Sequence, residues 1–369
     1  MSDRLVRWSL LVVLAATPDA AEPAVTILDL PFRATAMRGP RSEVAVAVAT
    51  SGLIPIARPV ANAAAPEAGD EESAPLVVVW GKEGGAALSL VDGTIRTTLL
   101  GAEAIEGLAA AETPRGALPG SRRALSGAVS AYLTGPTRAM GAGAPAAAGL
   151  TIRERQPVAM GGDPKPVPIS TVTVSPGPDA TFAAARPHVV RLAGRLAFLA
   201  ATLHGGDASG LSLITRAGLG DWSVAARTPP QDGAPVRIAA VADFAGTGSP
   251  RIAAVLAKDG RLQLWTPTAD AIILDAEAPG YAAGSGEVDF AAAVEGDDKA
   301  APDLALPGAD GTALALVSLK GGIRERVRIA LPAPAALGVA ALGRGRQARI
   351  LVGLSDGRVA VVAPNGTTP

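Results

Sequence analysis

The chain has 369 residues, 49% hydrophobic and 18% charged, with 33 basic against 34 acidic side chains for a formal charge of −1. That balance, without a long basic run and with only 3% aromatic residues to interleave with arginine, excludes an electrostatic nucleic-acid footprint. Zero cysteines exclude disulfides, thiolate zinc sites, cysteine nucleophiles and a lipid-modified cysteine.

At the N-terminus Arg4 and Arg7 precede an apolar run over 8–16, followed by Pro18 and the small residues Ala20 and Ala21. This layout predicts a secretory signal peptide over 1–21 and a periplasmic or secreted bacterial protein occupying 22–369 as one domain. The run is too short to cross a bilayer core of about 30 Å, which needs about 20 apolar residues in a helix, so no transmembrane anchor is expected. A strand follows at 25–32.

Downstream, the segments 76–91, 251–265, 303–317 and 349–362 share one pattern: a short apolar run, a Gly-centred turn and a second, alternating run. Asp259-Gly260, Asp310-Gly311 and Asp356-Gly357 are the pairs that accept the positive φ of tight hairpin turns. Residues 195–214 are a looser copy with a longer turn at Gly205, Gly206 and Asp207. Most hairpins have a further apolar run before them, as at 236–244 and 337–343, and another after them, as at 221–228, 271–277 and 323–332. Four antiparallel strands per unit result. Equivalent positions Phe198, Ala254, Leu306 and Val352 are 56, 52 and 46 residues apart. That spacing fits four-stranded β-propeller blades and exceeds that of short solenoid repeats.

Residues 121–133, 149–154 and 169–174 supply strands for one more unit. Irregular insertions are expected near 51–75 and 134–168, where Ala, Pro, Gly and acidic residues lack periodicity. The predicted fold is all-β: a propeller of six blades, or seven if 33–60 form a blade alone. Because the last hairpin ends near the C-terminus without a fourth strand, the N-terminal strand is expected to complete the last blade and close the ring. Two or three β-sandwich domains are the competing layout.

The unit 241–265, with Asp243-Phe244, Gly246, Gly248, a strand from Ile252 and Asp259-Gly260, resembles an FG-GAP or VCBS-type repeat, the blade unit of integrin alpha-subunit propellers. Residues 290–317 and 339–362 resemble it more weakly. The resemblance implies a calcium loop after the first strand. Of its ligands only Asp243 stands here, with Ala245, Thr247 and Arg251 where oxygen donors are needed. Asp297, Asp298 and Asp303 are the remaining candidate metal ligands, and a solvated acidic turn is their plainer reading.

His188 and His204 make a poor metal set without cysteine. Neither 246–250 nor 338–346 opens a helix or carries a following Lys-Ser or Lys-Thr, so neither supports a phosphate loop. Arg324, Arg326 and Arg328 alternate along a predicted outer strand and could present a stripe to an anionic partner. No catalytic residues and no cofactor emerge. The sequence therefore predicts a monomeric binding or scaffold module for an envelope or extracellular protein or a small-molecule ligand. A propeller hydrolase, lyase or dehydrogenase, or an envelope-assembly protein, are the alternatives.

Overall fold

The computed structural model describes residues 23–52, 74–141, 146–156, 167–216, 218, 220–233, 235–284, 288–297 and 300–364. The predicted signal peptide and most of the acidic insertion near 51–75 lie outside the described residues.

Strand β1 (Ala24–Ile27) comes first. Sheet I is β2 (Ala36–Arg38), β3 (Leu76–Gly81), β4 (Gly84–Val91) and β5 (Thr94–Leu100), with helix α1 (Glu43–Thr50) after β2 and α2 (Ala102–Ala111) after β5. Set II is β6 (Ala124–Ser126), β7 (Val129–Thr137), β8 (Ala146–Arg155) and β9 (Ile169–Val174). After β10 (Thr181–Ala183) comes set III, β11 (His188–Leu192), β12 (Arg195–His204), β13 (Ala208–Arg216) and β14 (Trp222–Arg227), with the short β15 (Gln231–Asp232) beside β13. Sheet IV is β16 (Val236–Ala242), β17 (Arg251–Leu256), β18 (Arg261–Pro267) and β19 (Ile272–Ala278). Sheet V is β20 (Ala292–Val294), β21 (Asp303–Pro307), β22 (Ala313–Ser318) and β23 (Arg324–Ala330). Sheet VI is β24 (Ala335–Leu342), β25 (Arg349–Leu354) and β26 (Val359–Ala363), and its fourth strand is β1, antiparallel to β26 with Val25 opposite Val362. Consecutive strands within each set pair antiparallel, and β10 bridges β8 to β12, fusing sets II and III into one ten-stranded sheet.

The all-β expectation holds, apart from two helices that the sequence reading missed. In α1 the sequence Val-Ala-Val-Ala-Val-Ala alternates as a strand would. Ser42 nevertheless caps a helix, its Oγ accepting the Ala45 N–H at 3.1 Å, and Val44, Ala45 and Val48 bury one side. In the described part of the 33–60 range, residues 33–52, β2 joins sheet I and the rest is helix and turn rather than a separate blade, while 53–60 lie outside the described residues. Within the irregular region expected near 134–168, the strand predicted over 149–154 is part of β8, which runs from Ala146 to Arg155, and β7 reaches further than expected, to Thr137, while 142–145 and 157–166 lie outside the described residues.

The second strands β3 and β25 are buried along their whole length, whereas the fourth strands β19 and β23 are mostly exposed. Burial on both faces explains their continuous apolar runs, each buried Val or Leu contributing about 1.5–3 kcal/mol. Buried clusters join II to III through Phe182 and Phe198, III to IV through Leu213 and Ile252, IV to V through Val255 and Leu304, V to VI through Leu316 and Ile350, and VI to I through Leu351 and Val79. The first strands follow the same succession, with β6 touching β11, β11 touching β16, β16 touching β20, β20 touching β24 and β24 touching β2. Sheet I meets set II through its helices: Arg123 binds Glu43 of α1, its Nε 2.6 Å from Oε1, and its N–H donates to the Glu112 carbonyl at 3.0 Å.

Candidate functional site

Charged groups gather where the first strands converge. Arg122, just before β6, is buried and donates to Asp289, just before β20, from Nη2 to Oδ1 at 2.6 Å and from Nη1 to Oδ2 at 3.1 Å. This is the bidentate fork that guanidinium geometry favours. The Asp289 carbonyl in turn accepts the Val339 N–H of β24 at 2.7 Å. Arg186 approaches from the start of set III, its Nη2 3.5 Å from the Arg41 carbonyl, and Arg41 extends its own Nη1 to 3.5 Å from the Val241 carbonyl of β16. Arg38 of β2 binds Glu112 at 2.8 Å and lies over the Trp80 ring, 5.5 Å from its centroid. All six strand sets thus contribute an atom.

The field inside the cluster is positive. His188, the first residue of β11, has its pKa pushed down to about 3: burial disfavours its charged form, and Arg186, Arg122 and Arg41 together outweigh the opposing Asp289. Burial alone would raise the Asp289 pKa, but the charge and hydrogen bonds of Arg122, helped by Arg186 and Arg38, hold it far below the usual carboxylate range. Water still reaches the group, since the Asp289 side chain is 29% exposed and Arg41 is exposed.

A cavity of about 540 Å³ lies on the other side of the 288–290 segment, with Val288 and Phe290 in its wall. Its rim carries Lys258, Asp259 and Asp310 from the hairpin turns of sheets IV and V; Tyr281 and Gly338 also line it. Gly260 has φ of 63°, and a Cβ there would stand 2.4 Å from the Tyr281 carbonyl, so the turn requires glycine. The Tyr281 hydroxyl donates to Glu325 at 3.3 Å. Segment 288–290 is therefore a wall shared by the cavity and the arginine cluster.

The site residues expected from sequence stand elsewhere. Asp303 begins β21 and pairs with Arg326 at 3.3 Å; burial raises its carboxyl pKa against that charge. The Asp297 carbonyl accepts the Ala300 N–H at 2.9 Å, and Asp298 lies outside the described residues. Among the described residues no three His, Asp or Glu side chains gather for a metal. The calcium loop implied by the FG-GAP resemblance does not fit: the two Asp243 oxygens accept N–H bonds from Thr247 at 2.9 Å and Gly248 at 2.6 Å. Arg324, Arg326 and Arg328 do sit on an outer strand, but they form no uniform stripe. A bulge at 326 breaks the alternation, Arg326 turns to Asp303, and Arg328 binds Glu325 and lies over the Tyr281 ring. His204 closes β12 and sits 3.2 Å from both Thr202 Oγ1 and the Asp179 carbonyl.

No sequence-local signal marks the arginine cluster. Its members are distant in the chain, but Arg122, His188 and Asp289 each stand at or just before the first strand of a unit, an equivalence that aligning the repeats could have exposed.

No family model and no curated protein matches the chain. Among solved structures, it is similar to the Trypanosoma rangeli sialidase in complex with sialic acid, at 12% identity and a TM-score of 0.43 over 94% of this chain. It spans 60% of that sialidase's length. It is also similar to the Aleuria aurantia lectin, described as a six-bladed β-propeller with a novel fucose recognition mode, at 13% identity and a TM-score of 0.34 over 80% of this chain and 93% of the lectin.

Proposed function

We propose that the six strand sets are the blades of one six-bladed β-propeller, closed by β1, and that the protein is an exported, monomeric module binding a small ligand at the mouth of the ring. The contribution of all six sets to one charged cluster supports the ring, because a common centre is reached from every blade only when the blades surround it. On this reading the blades descend from an FG-GAP-type repeat that has lost its calcium ligands.

The observation that carries the binding role is the cavity of about 540 Å³, walled mostly by Ala and Gly with Tyr281 and Phe290 and rimmed by Lys258, Asp259 and Asp310, within the range of small-molecule sites. Rigid blades carry it on their loops, the usual division between scaffold and recognition. The propeller-enzyme reading is less favoured. His188, with a pKa near 3, is a weak base, and Asp289 is held ionised, so neither is poised to exchange protons near neutral pH. The assembly reading also has less support, because the exposed residues Leu99, Ile169, Ile273 and Ile27 sit on the outer strands of four different sets.

Melting curves of the full chain with a panel of sugars, nucleosides and organic acids test this. Ala336 is exposed and lines the cavity, so Ala336→Trp fills it without disturbing the core. A saturable rise in melting temperature that disappears in this variant supports the reading. A panel without any such rise, or one unaffected by Ala336→Trp, overturns it.

A further inference from the structure

Val288 and Phe290 line the cavity, and Asp289 between them turns the other way, to Arg122. This is the alternation of an extended segment, yet 288–290 precedes β20 and belongs to no strand. Among the described residues the hydrogen bonds that hold it are the two from Arg122 and the one from the Val339 N–H to the Asp289 carbonyl. Gly338 and Val339 line the cavity as well. Gly338 has φ of 142°, and a Cβ there would stand 3.3 Å from the Asp289 carbonyl oxygen and 3.1 Å from Met37 Cε, so β24 lies against the segment with no side chain between them. One residue thus fixes two strips of the wall, 288–290 through its carboxylate and 338–339 through its carbonyl.

The other end of the fork is fixed in set II, which among the described residues supplies none of the cavity's lining. Arg122 is buried, and its chain neighbours are tied down. Ser121 donates to the Leu118 carbonyl through its N–H at 3.0 Å and its Oγ at 2.8 Å, and the Arg123 N–H donates to the Glu112 carbonyl at 3.0 Å. A planar guanidinium engaged through two nitrogens sets direction as well as distance, which a point charge does not.

We propose that Arg122 is a positioning residue for the ligand cavity: its bidentate grip on Asp289 sets the 288–290 wall and, through it, the 338–339 strip, so that a residue of set II governs the shape of a site lined by sheets IV, V and VI. The proposal rests on the reading of this cavity as the ligand site. A ligand there and the Arg122–Asp289 pair should favour the same placement of the segment, and each should strengthen the other.

Two readouts test this without knowledge of the ligand. Exchange of the Val339 amide hydrogen, followed by NMR relative to the Ala254 amide of β17, reports the wall and cancels a general loss of stability. The chain has no cysteine, so Ala336→Cys places one thiol at an exposed position of the lining, and the dye acrylodan attached there is the probe of the cavity interior. In Arg122→Lys, which keeps the charge and loses the fork, the Val339 exchange ratio should rise about tenfold and the dye emission should move to the red. Asp289→Asn should act in the same direction and serves if Arg122→Lys does not fold. Phe198→Leu, in the core joining sets II and III, lowers stability away from the wall, and both readouts should keep their parent values.

An unchanged ratio and emission in a folded Arg122→Lys or Asp289→Asn would overturn the proposal, as would changes of equal size in Phe198→Leu. The two readings fail separately. If the panel of sugars, nucleosides and organic acids binds nowhere while Val339 exchange still quickens, the cavity loses its ligand and the hold of Arg122 on its wall stands. If a panel compound binds and the ratio does not move, only the positioning role falls.

Discussion

Arg122 and Asp289, 167 residues apart, hold each other through two hydrogen bonds of 2.6 and 3.1 Å and tie the start of set II to the start of sheet V. In the proposed six-bladed arrangement these two sets would stand opposite each other, and the pair would brace the ring across its centre. Removing one partner takes away the bidentate grip on the other's buried charge. Arg122→Ala or Asp289→Ala should therefore each cost about 2–4 kcal/mol, with the double variant costing clearly less than the sum. Chemical denaturation of the three variants measures this, and additive losses would show that the two residues are not coupled.

His188 makes stability depend on pH. Its folded pKa of about 3 lies below its value of about 6.5 in the unfolded chain, so between these limits the unfolded chain binds a proton that the folded one does not. Stability should be fully present above pH 6.5 and fall as pH drops, at up to about 1.4 kcal/mol per unit. Asp289 adds its own loss only below about pH 4, where unfolded carboxylates take up protons. Denaturation midpoints between pH 4.5 and 6.5 isolate the histidine, and His188→Gln should flatten the slope there. An imidazole NMR resonance of His188 titrating near pH 6.5 would contradict the positive field.

Most of the fold was legible because the hairpins carry their own instructions. Asp259-Gly260, Asp310-Gly311 and Asp356-Gly357 all fall between paired strands, and the loose copy at Gly205-Gly206-Asp207 turns between β12 and β13. What failed was local pattern where tertiary context decides. Residues 44–49 alternate like a strand, but their neighbours are α2 and the buried face of β3, which a helix fits. The charged cluster was illegible for a different reason. Arg122, Arg186 and Asp289 are ordinary singly, and only the packing of first strands brings them together. Arg324, Arg326 and Arg328 show the converse: a clear alternation that one bulge removed.

Strand β1 supplies the fourth strand of sheet VI, with Thr26 opposite Val361 and the Leu28 N–H donating to the Val359 carbonyl at 2.9 Å. Deleting residues 24–27 would expose the β26 edge and uncover part of the cluster around Ile350 and Val362. The melting temperature should fall by about 10 °C or more, and the variant should self-associate through the bared edge. A melting point within about a degree of the parent would show that the strand contributes nothing to the stability of sheet VI.

Asp243 caps backbone N–H groups of its own turn. Its two oxygens satisfy the Thr247 and Gly248 N–H groups in a turn where Gly246 and Gly248 have φ of 70° and 78°. Those backbone bonds outweigh the burial that alone would raise its pKa, and hold it below the usual range. The stabilisation is therefore present above about pH 4, the unfolded value, and lost as pH falls through the lower folded one. Asp243→Ala should cost about 1 kcal/mol by freeing both N–H groups, while Asp243→Asn, which keeps an acceptor, should cost less. Millimolar calcium should leave the melting temperature of the parent unchanged, because the loop offers the ion no set of free oxygens. A saturable calcium-dependent rise that Asp243→Ala abolishes would show instead that the carboxylate can exchange its backbone partners for a metal.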